Sequence, residues 1–566
     1  MTTARHASAA TVQSSGGQHP RETGPETIGG YLIQRLQDLG VRDVFGVPGD
    51  YVLSFYSLLD RSPINVIGCT REDSAGFAAD AYARIRGLGV VCITYCVGGL
   101  SVCNSVAGAY AEKSPVVVIS GSPGLSERVN NPLLHHKVRD FCTQFEVFQK
   151  LCVANAELSD PTTAIREVDR VLAAAQRYKR PVYIELPRDM VHVEATATQP
   201  VRSYEPRSDP QVLTEAVEES LALISRARRP MILAGVEIHR FGLQDLVLAL
   251  AEKTGMPIAA TILGKSVIRE THPLYIGLYE GAIGHEEVTR QVEQSDCLIL
   301  LGTFMTDLNL GIYTAKLDPG RCIYATSEDL RIHYHHYRNV LLGDFISRLS
   351  ARCSPSLAFA DHPPRSWPEF QLQSDARITI SRLIARLNEQ LDRDTIVIAD
   401  IGDALFAATE LITRERTEFL SPAYYTSMGF SIPAALGAHV ARPDCRVVAI
   451  CGDGAFQMTG MELSTVIHYG YAPTVIILDN GGYGTERFLH PGNWQFNEIH
   501  GWNYHRLPEV LGGGCGYLVR TEGEFDAALN AAWGDRSGPS LIHVQLQRDD
   551  ASQTLRRLAE RLGRRV

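Results

Sequence analysis

Three oxygen donors stand where two apolar runs end. Asp453 closes the stretch "RVVAICGD", and Asn480 and Gly482 close "PTVIILDNGG". They lie 27 and 29 residues after Asp453, one helix and one strand further along the chain. In a parallel sheet both run ends fall on the same edge, where α/β proteins bind ligands. A carboxylate, a side-chain carbonyl and a backbone carbonyl are hard donors suited to Mg²⁺, which keeps some waters and bridges phosphates. Gly454 and Ala455 open the next helix, whose first N–H groups can meet a phosphate. Either turn alone reads as an ordinary strand end. Together they point to a diphosphate held with its metal.

Other candidates are less specific by themselves. Glu72 opens the Ala-rich helix "EDSAGFAADAYARI", where an acid also suits the helix dipole. His135 and His136 are adjacent, in "LLHHKV". Such a pair is often solvated surface, and it can also move protons near neutral pH.

These residues need a scaffold. Short β-rich runs alternate with helical patterns along all 566 residues, which predicts parallel sheets covered by helices on both faces. Two stretches rich in Pro, Ser and charge, 195–211 and 353–370, break the alternation and read as linkers. The expected fold class is therefore α/β, with three doubly wound domains over 27–193, 212–352 and 371–549. Residues 1–26 are polar and small and read as a disordered tail without a signal peptide's apolar region. Residues 550–566 carry Leu555, Leu558 and Leu562 on one helical face among arginines, which predicts a docked terminal helix. No apolar stretch is long enough to span a membrane. The net charge of -10 argues against nucleic acid and anionic membranes as partners. Twelve scattered cysteines without a CxxC pair suggest a reduced, cytoplasmic protein.

With these motifs on the page, the chain resembles the thiamine diphosphate-dependent enzymes, and among them the 2-oxo acid decarboxylases acting on pyruvate, indolepyruvate, phenylpyruvate or branched-chain oxo acids. The resemblance covers residues 27 to 550. Beyond the "GDG…DNGG" motif it is carried by "FGVPGDY" with Asp50, "TREDSAGFAADAYAR" with Glu72, "LLHHKV" with His135 and His136, and "GGYGTERFLHPG" with Glu486. One departure is Asp479, where the motif usually has asparagine.

The resemblance implies roles. Thiamine diphosphate and Mg²⁺ are the cofactors, with Asp453, Asn480 and the Gly482 carbonyl as metal ligands. Tyr483, Gly484 and Thr485 join Gly454 and Ala455 around the cofactor. Glu72 hydrogen-bonds the aminopyrimidine, the Thr426 carbonyl accepts from its amino group, and Met428 props the cofactor into a bent shape. Asp50, His135, His136 and Glu486 serve the proton transfers that follow loss of CO₂, with Glu486 beside the substrate carboxylate. Active sites are shared between subunits of a homodimer or homotetramer.

The substrate pocket departs from the usual pattern. Gly484 and Thr485 precede Glu486 where larger residues are common, and Ile401, Asp403 and Leu405 stand in a segment that often carries aromatics. Smaller walls suggest aromatic or branched 2-oxo acids in preference to pyruvate. A carboligase of the acetohydroxyacid synthase or lyase type is the alternative, disfavoured by the paired histidines with Glu486. A catalytically silent scaffold is disfavoured by retention of all the polar residues.

Overall fold

The computed structural model describes residues 27–196, 206–355, 369–414 and 418–562. The predicted tail, 1–26, lies outside the described residues, as do the middle of each predicted linker and residues 563–566.

The first sheet contains β1 (Asp43–Gly46), β2 (Asn65–Gly68), β3 (Gly89–Ile93), β4 (Val116–Ser122), β5 (Ala154–Glu157) and β6 (Val182–Pro187). Its order is β2-β1-β3-β4-β6-β5, with every pair parallel. The second contains β7 (Pro230–Ala234), β8 (Ile258–Thr261), β9 (Tyr275–Tyr279), β10 (Cys297–Leu301), β11 (Cys322–Ala325), β12 (Leu330–Ile332) and β13 (His335–Tyr337). Its order is β13-β12-β11-β10-β7-β8-β9. The third contains β14 (Thr395–Ala399), β15 (Glu418–Leu420), β16 (Arg446–Gly452), β17 (Thr474–Asp479), β18 (Cys515–Val519) and β19 (Ser540–Gln545). Its order, β15-β14-β16-β17-β19-β18, repeats that of the first sheet.

The central sheet corrects the expectation of parallel strands throughout. At one edge β12 runs antiparallel to both β11 and β13. The connections there are a few residues long, enough for a hairpin turn and too short for a crossover helix.

The outer domains meet through the helices Glu72–Arg86 and Ser431–Ala441. About half of each helix is Gly, Ala or Ser, and at one point the two backbones approach closely. A Cβ on Gly437 would fall 2.1 Å from the Ala78 carbonyl oxygen. Beside this seam, buried Arg84 pairs with Asp80 at 2.8 Å and Glu112 at 2.9 Å. Glu112 Oε1 accepts the N–H groups of Tyr424 and Tyr425. A carboxylate of the first domain thus fixes the loop of the third that leads to Thr426 and Met428.

The helix Gln553–Leu562 is docked as its leucines predict. Leu555 and Leu558 are buried with Ile283 and Phe406, and Leu562 packs at the margin. Each fully buried leucine contributes about 1.5–3 kcal/mol.

Candidate active site

The third sheet changes winding direction between β14 and β16, which opens a crevice at their carboxyl ends. Gly452 closes β16 and Asp479 closes its neighbour β17, with Gly452 paired to Leu478. The metal-motif residues therefore share one edge. A cavity of about 570 Å³ opens there. Ile401, Thr426, Met428, Asp453, Gly454, Ala455, Asn480, Gly482, Tyr483, Gly484, Thr485 and Glu486 all line it.

Leu405 does not. It is fully buried in the core beneath, and Ala404 and Phe406 of the same short helix face the cavity instead. The expected pocket wall at Leu405 is thus corrected to Phe406. Successive residues on a helix point about 100° apart, and packing of Asp403–Ala408 against the sheet decides which one faces out.

Asp453 is 2% exposed. Its Oδ1 accepts from Gly454 N at 2.8 Å and its Oδ2 from Gly482 N at 2.9 Å, which ties the two halves of the motif together. Burial and the nearby Asp479 carboxylate push its acid up to about 7. Asp479 goes the other way: burial opposes its ionisation, and the hydrogen bond from His543 overcomes this. Two adjacent acids stand beside hard oxygen donors, with the Arg487 guanidinium against the Asn480 oxygens. Added Cβ atoms on Gly452 and Gly481 would meet nothing within 4 Å, so the space over both strand ends is open. A divalent cation with a diphosphate fits this set by charge, donor type and room.

Met428 reaches the same point, its Cε 3.7 Å from where a Gly454 Cβ would stand. Thr426 sits at φ 58°, in the left-handed region that a β-branched residue rarely adopts. Asp400 holds this loop from below. Fully buried, it accepts the N–H groups of Gly429 at 3.1 Å and Ser431 at 2.9 Å.

The other candidates lie apart. Asp50 and His135 are bonded at 2.7 Å between Oδ2 and Nε2, with His136 Nε2 3.9 Å from Asp50 Oδ1. Tyr51 stacks on His135 with ring centroids 4.7 Å apart, and Arg188 reaches Asp50 at 3.7 Å. His136 also occupies the left-handed region, at φ 65°. Such strain concentrates at functional sites. Glu72 begins its helix as expected, against Gly98. None of Asp50, Glu72, His135 and His136 lines the cavity.

Family profiles match three segments of the chain. They are the thiamine pyrophosphate enzyme N-terminal TPP binding domain over residues 26–146, the central domain over 217–346 and the C-terminal TPP binding domain over 400–544. The chain belongs to the thiamine pyrophosphate enzymes. It is 37% identical to an indole-3-pyruvate decarboxylase of Azospirillum brasilense over 94% of this chain and 97% of that one. An alpha-keto-acid decarboxylase of Mycobacterium avium is 33% identical over 92% and 94% of the two chains. Pyruvate decarboxylase 1 of Pisum sativum is 31% identical over 94% and 92%.

Several residues at this thiamine pyrophosphate enzyme's site escape sequence reasoning. Asp400 and His543 act across strands, and nothing local marks them. Arg487 donates from Nη2 to both Asn480 oxygens at 3.1 Å, bracing the Asn480–Gly482 turn. Asp403, read from the sequence only as a departure in the pocket segment, accepts the Ser552 N–H at 2.9 Å, which anchors the start of the terminal helix whose Leu558 and Leu562 wall the cavity. Asp307, Leu308 and Ile312 reach it from the central domain.

Proposed function

We propose that this thiamine diphosphate-dependent 2-oxo acid decarboxylase prefers aromatic or branched substrates, uses Mg²⁺ and completes each active site with a second copy of the chain. The supporting observation is the cavity itself. It joins Glu486 and the oxygen donors to apolar side chains from three sources: Ile401 and Phe406, Leu489, and Leu558 and Leu562. Twelve free cysteines are in keeping with a cytoplasmic enzyme.

The bound cofactor supplies the electron sink for loss of the carboxylate. The chain supplies the rest. Asp453, Asn480 and the Gly482 carbonyl would hold Mg²⁺. Met428 and the Thr426 carbonyl would set the ring orientation, and Glu72 would hydrogen-bond the aminopyrimidine. Glu486 stands by the substrate carboxylate. The Asp50–His135–His136 cluster delivers and removes protons as the aldehyde forms.

Metal binding should depend on pH. The Asp453 carboxyl must lose its proton to bind a cation, so affinity for Mg²⁺ with thiamine diphosphate should fall about tenfold per pH unit below 7. The sign follows from a raised acid. In the cation-free chain this group disfavours the fold progressively as pH rises from 3.8 to about 7, and the cation removes that cost. Calorimetric titrations at pH 6 and 8 should differ strongly, and equal affinities would count against Asp453 as a ligand.

Thr485 lines the cavity beside Glu486. Thr485→Ile should lower kcat/KM for phenylpyruvate or indolepyruvate relative to pyruvate by about 10- to 200-fold, the discrimination that such a change in wall volume gives. A dehydrogenase-coupled assay over a panel of 2-oxo acids reads this directly. A wild-type enzyme that prefers pyruvate, or equal losses on both substrates, would remove the size argument.

A further inference from the structure

The metal loop is held from behind by a buried imidazole. Asp479 Oδ2 accepts from His543 Nε2 at 2.7 Å. His543 is 2% exposed and lies on β19, one pleat back from the Asp479–Gln545 pair and on the same face. Asp479 Oδ1 accepts from Gly481 N at 3.1 Å. Gly481 sits at φ 76° between Asn480 and Gly482, the two donors that the turn presents. One carboxylate therefore joins a buried histidine to the turn that carries two of three metal ligands.

The histidine has its own support. His543 Nδ1 lies 3.2 Å from His505 Nδ1, with the rings 23° from parallel. The Tyr504 ring meets His543 nearly edge-on, with centroids 5.0 Å apart. The Tyr504 hydroxyl accepts from Gln457 Nε2 at 2.8 Å, and Gln457 belongs to the helix that Asp453 opens. A carboxylate accepts, so His543 carries a proton on Nε2, and the Nδ1–Nδ1 contact with His505 braces the ring from its other side. The His543 Nε2–H thus points at Asp479, in the position where the motif usually has a neutral amide.

We propose that His543, seated by His505, is a positioning residue of the metal site, holding Asp479 so that the Gly481 turn presents Asn480 Oδ1 and the Gly482 carbonyl to Mg²⁺. The proposal rests on the metal assignment made above. Outer partners of this kind contribute to affinity by orienting ligands that they do not replace.

The test is calorimetric titration of Mg²⁺ into the full-length protein at saturating thiamine diphosphate. His543→Leu keeps the volume and removes the donor, whereas His543→Gln keeps a donor. The leucine variant should bind Mg²⁺ about 10- to 100-fold more weakly. The glutamine variant should recover most of the affinity. Equal losses in both variants, or wild-type affinity in the leucine variant, would overturn the proposal. Should His543→Leu not fold, His505→Leu should show a smaller loss in the same direction, and unchanged affinity there overturns it equally. Asp453→Ala run alongside separates the two claims: if it binds Mg²⁺ normally, the metal assignment fails, not the support behind it.

Discussion

Asp453→Ala should yield a folded chain that binds thiamine diphosphate and Mg²⁺ more than about 100-fold more weakly, and that is inactive at ordinary cofactor concentrations. Deleting a ligand costs more than deleting a partner that only orients one, which is already worth about 10- to 100-fold. Asp453 also links the two strand ends through Gly454 and Gly482, so its loss loosens the turn bearing the other two donors. The expected effect on the cofactor-free fold is small. A buried acid pushed up to about 7 disfavours the folded state at pH 8, which offsets the two backbone bonds lost with it, so the alanine variant should melt close to wild type there. Lower affinity with undiminished stability is the pattern of a residue kept for function. Calorimetry and thermal melts measure both, and wild-type cofactor affinity in the variant would end the assignment.

Mixing inactive Glu72→Gln chains with inactive Asp453→Ala chains should restore activity to about a quarter of the wild-type level per site. That fraction follows for random pairing in a two-fold dimer, where half the dimers are mixed and each has one intact site. The expectation rests on where the residues stand. In one chain the cavity contains Asp453, Asn480 and Glu486, while Glu72, Asp50, His135 and His136 lie outside it. A site complete within each chain would gain nothing from mixing. Recovery of activity after the two variants are unfolded and refolded together, set against either one alone, decides between the two arrangements.

The sequence made the metal motif readable because its parts are local. An apolar run, a turn and a helix set the position of Asp453, and a second run sets Asn480 and Gly482. The same locality exposed the four inner strands of each outer sheet, whose runs are continuous, and not the edge strands β2, β5, β15 and β18. The β12–β13 edge was not legible, because His335–Tyr337 is polar and three residues long, with no periodicity to read. Phe406 was missed for a different reason. On a short helix the choice between neighbouring residues depends on the sheet underneath, which composition does not describe. Asp400 and His543 bond to groups far away in sequence, Ser431 and Asp479. Those pairs exist only once the third sheet has formed. The terminal helix was readable as amphipathic, but its place on the cavity wall depends on Asp403 catching Ser552.

The seam between Glu72–Arg86 and Ser431–Ala441 also bears on how small molecules come and go. Where a backbone carbonyl presses on a glycine, no side chain can swing aside, and any parting must move two whole domains. The cavity wall from Ile312 to Leu558 and Leu562 is made of side chains and an end helix, whose rearrangement disturbs far less. Passage of oxo acid inward and aldehyde outward through that wall therefore needs less rearrangement than passage through the seam. The rate at which the wall loosens sets an upper limit on turnover that the chemistry cannot exceed.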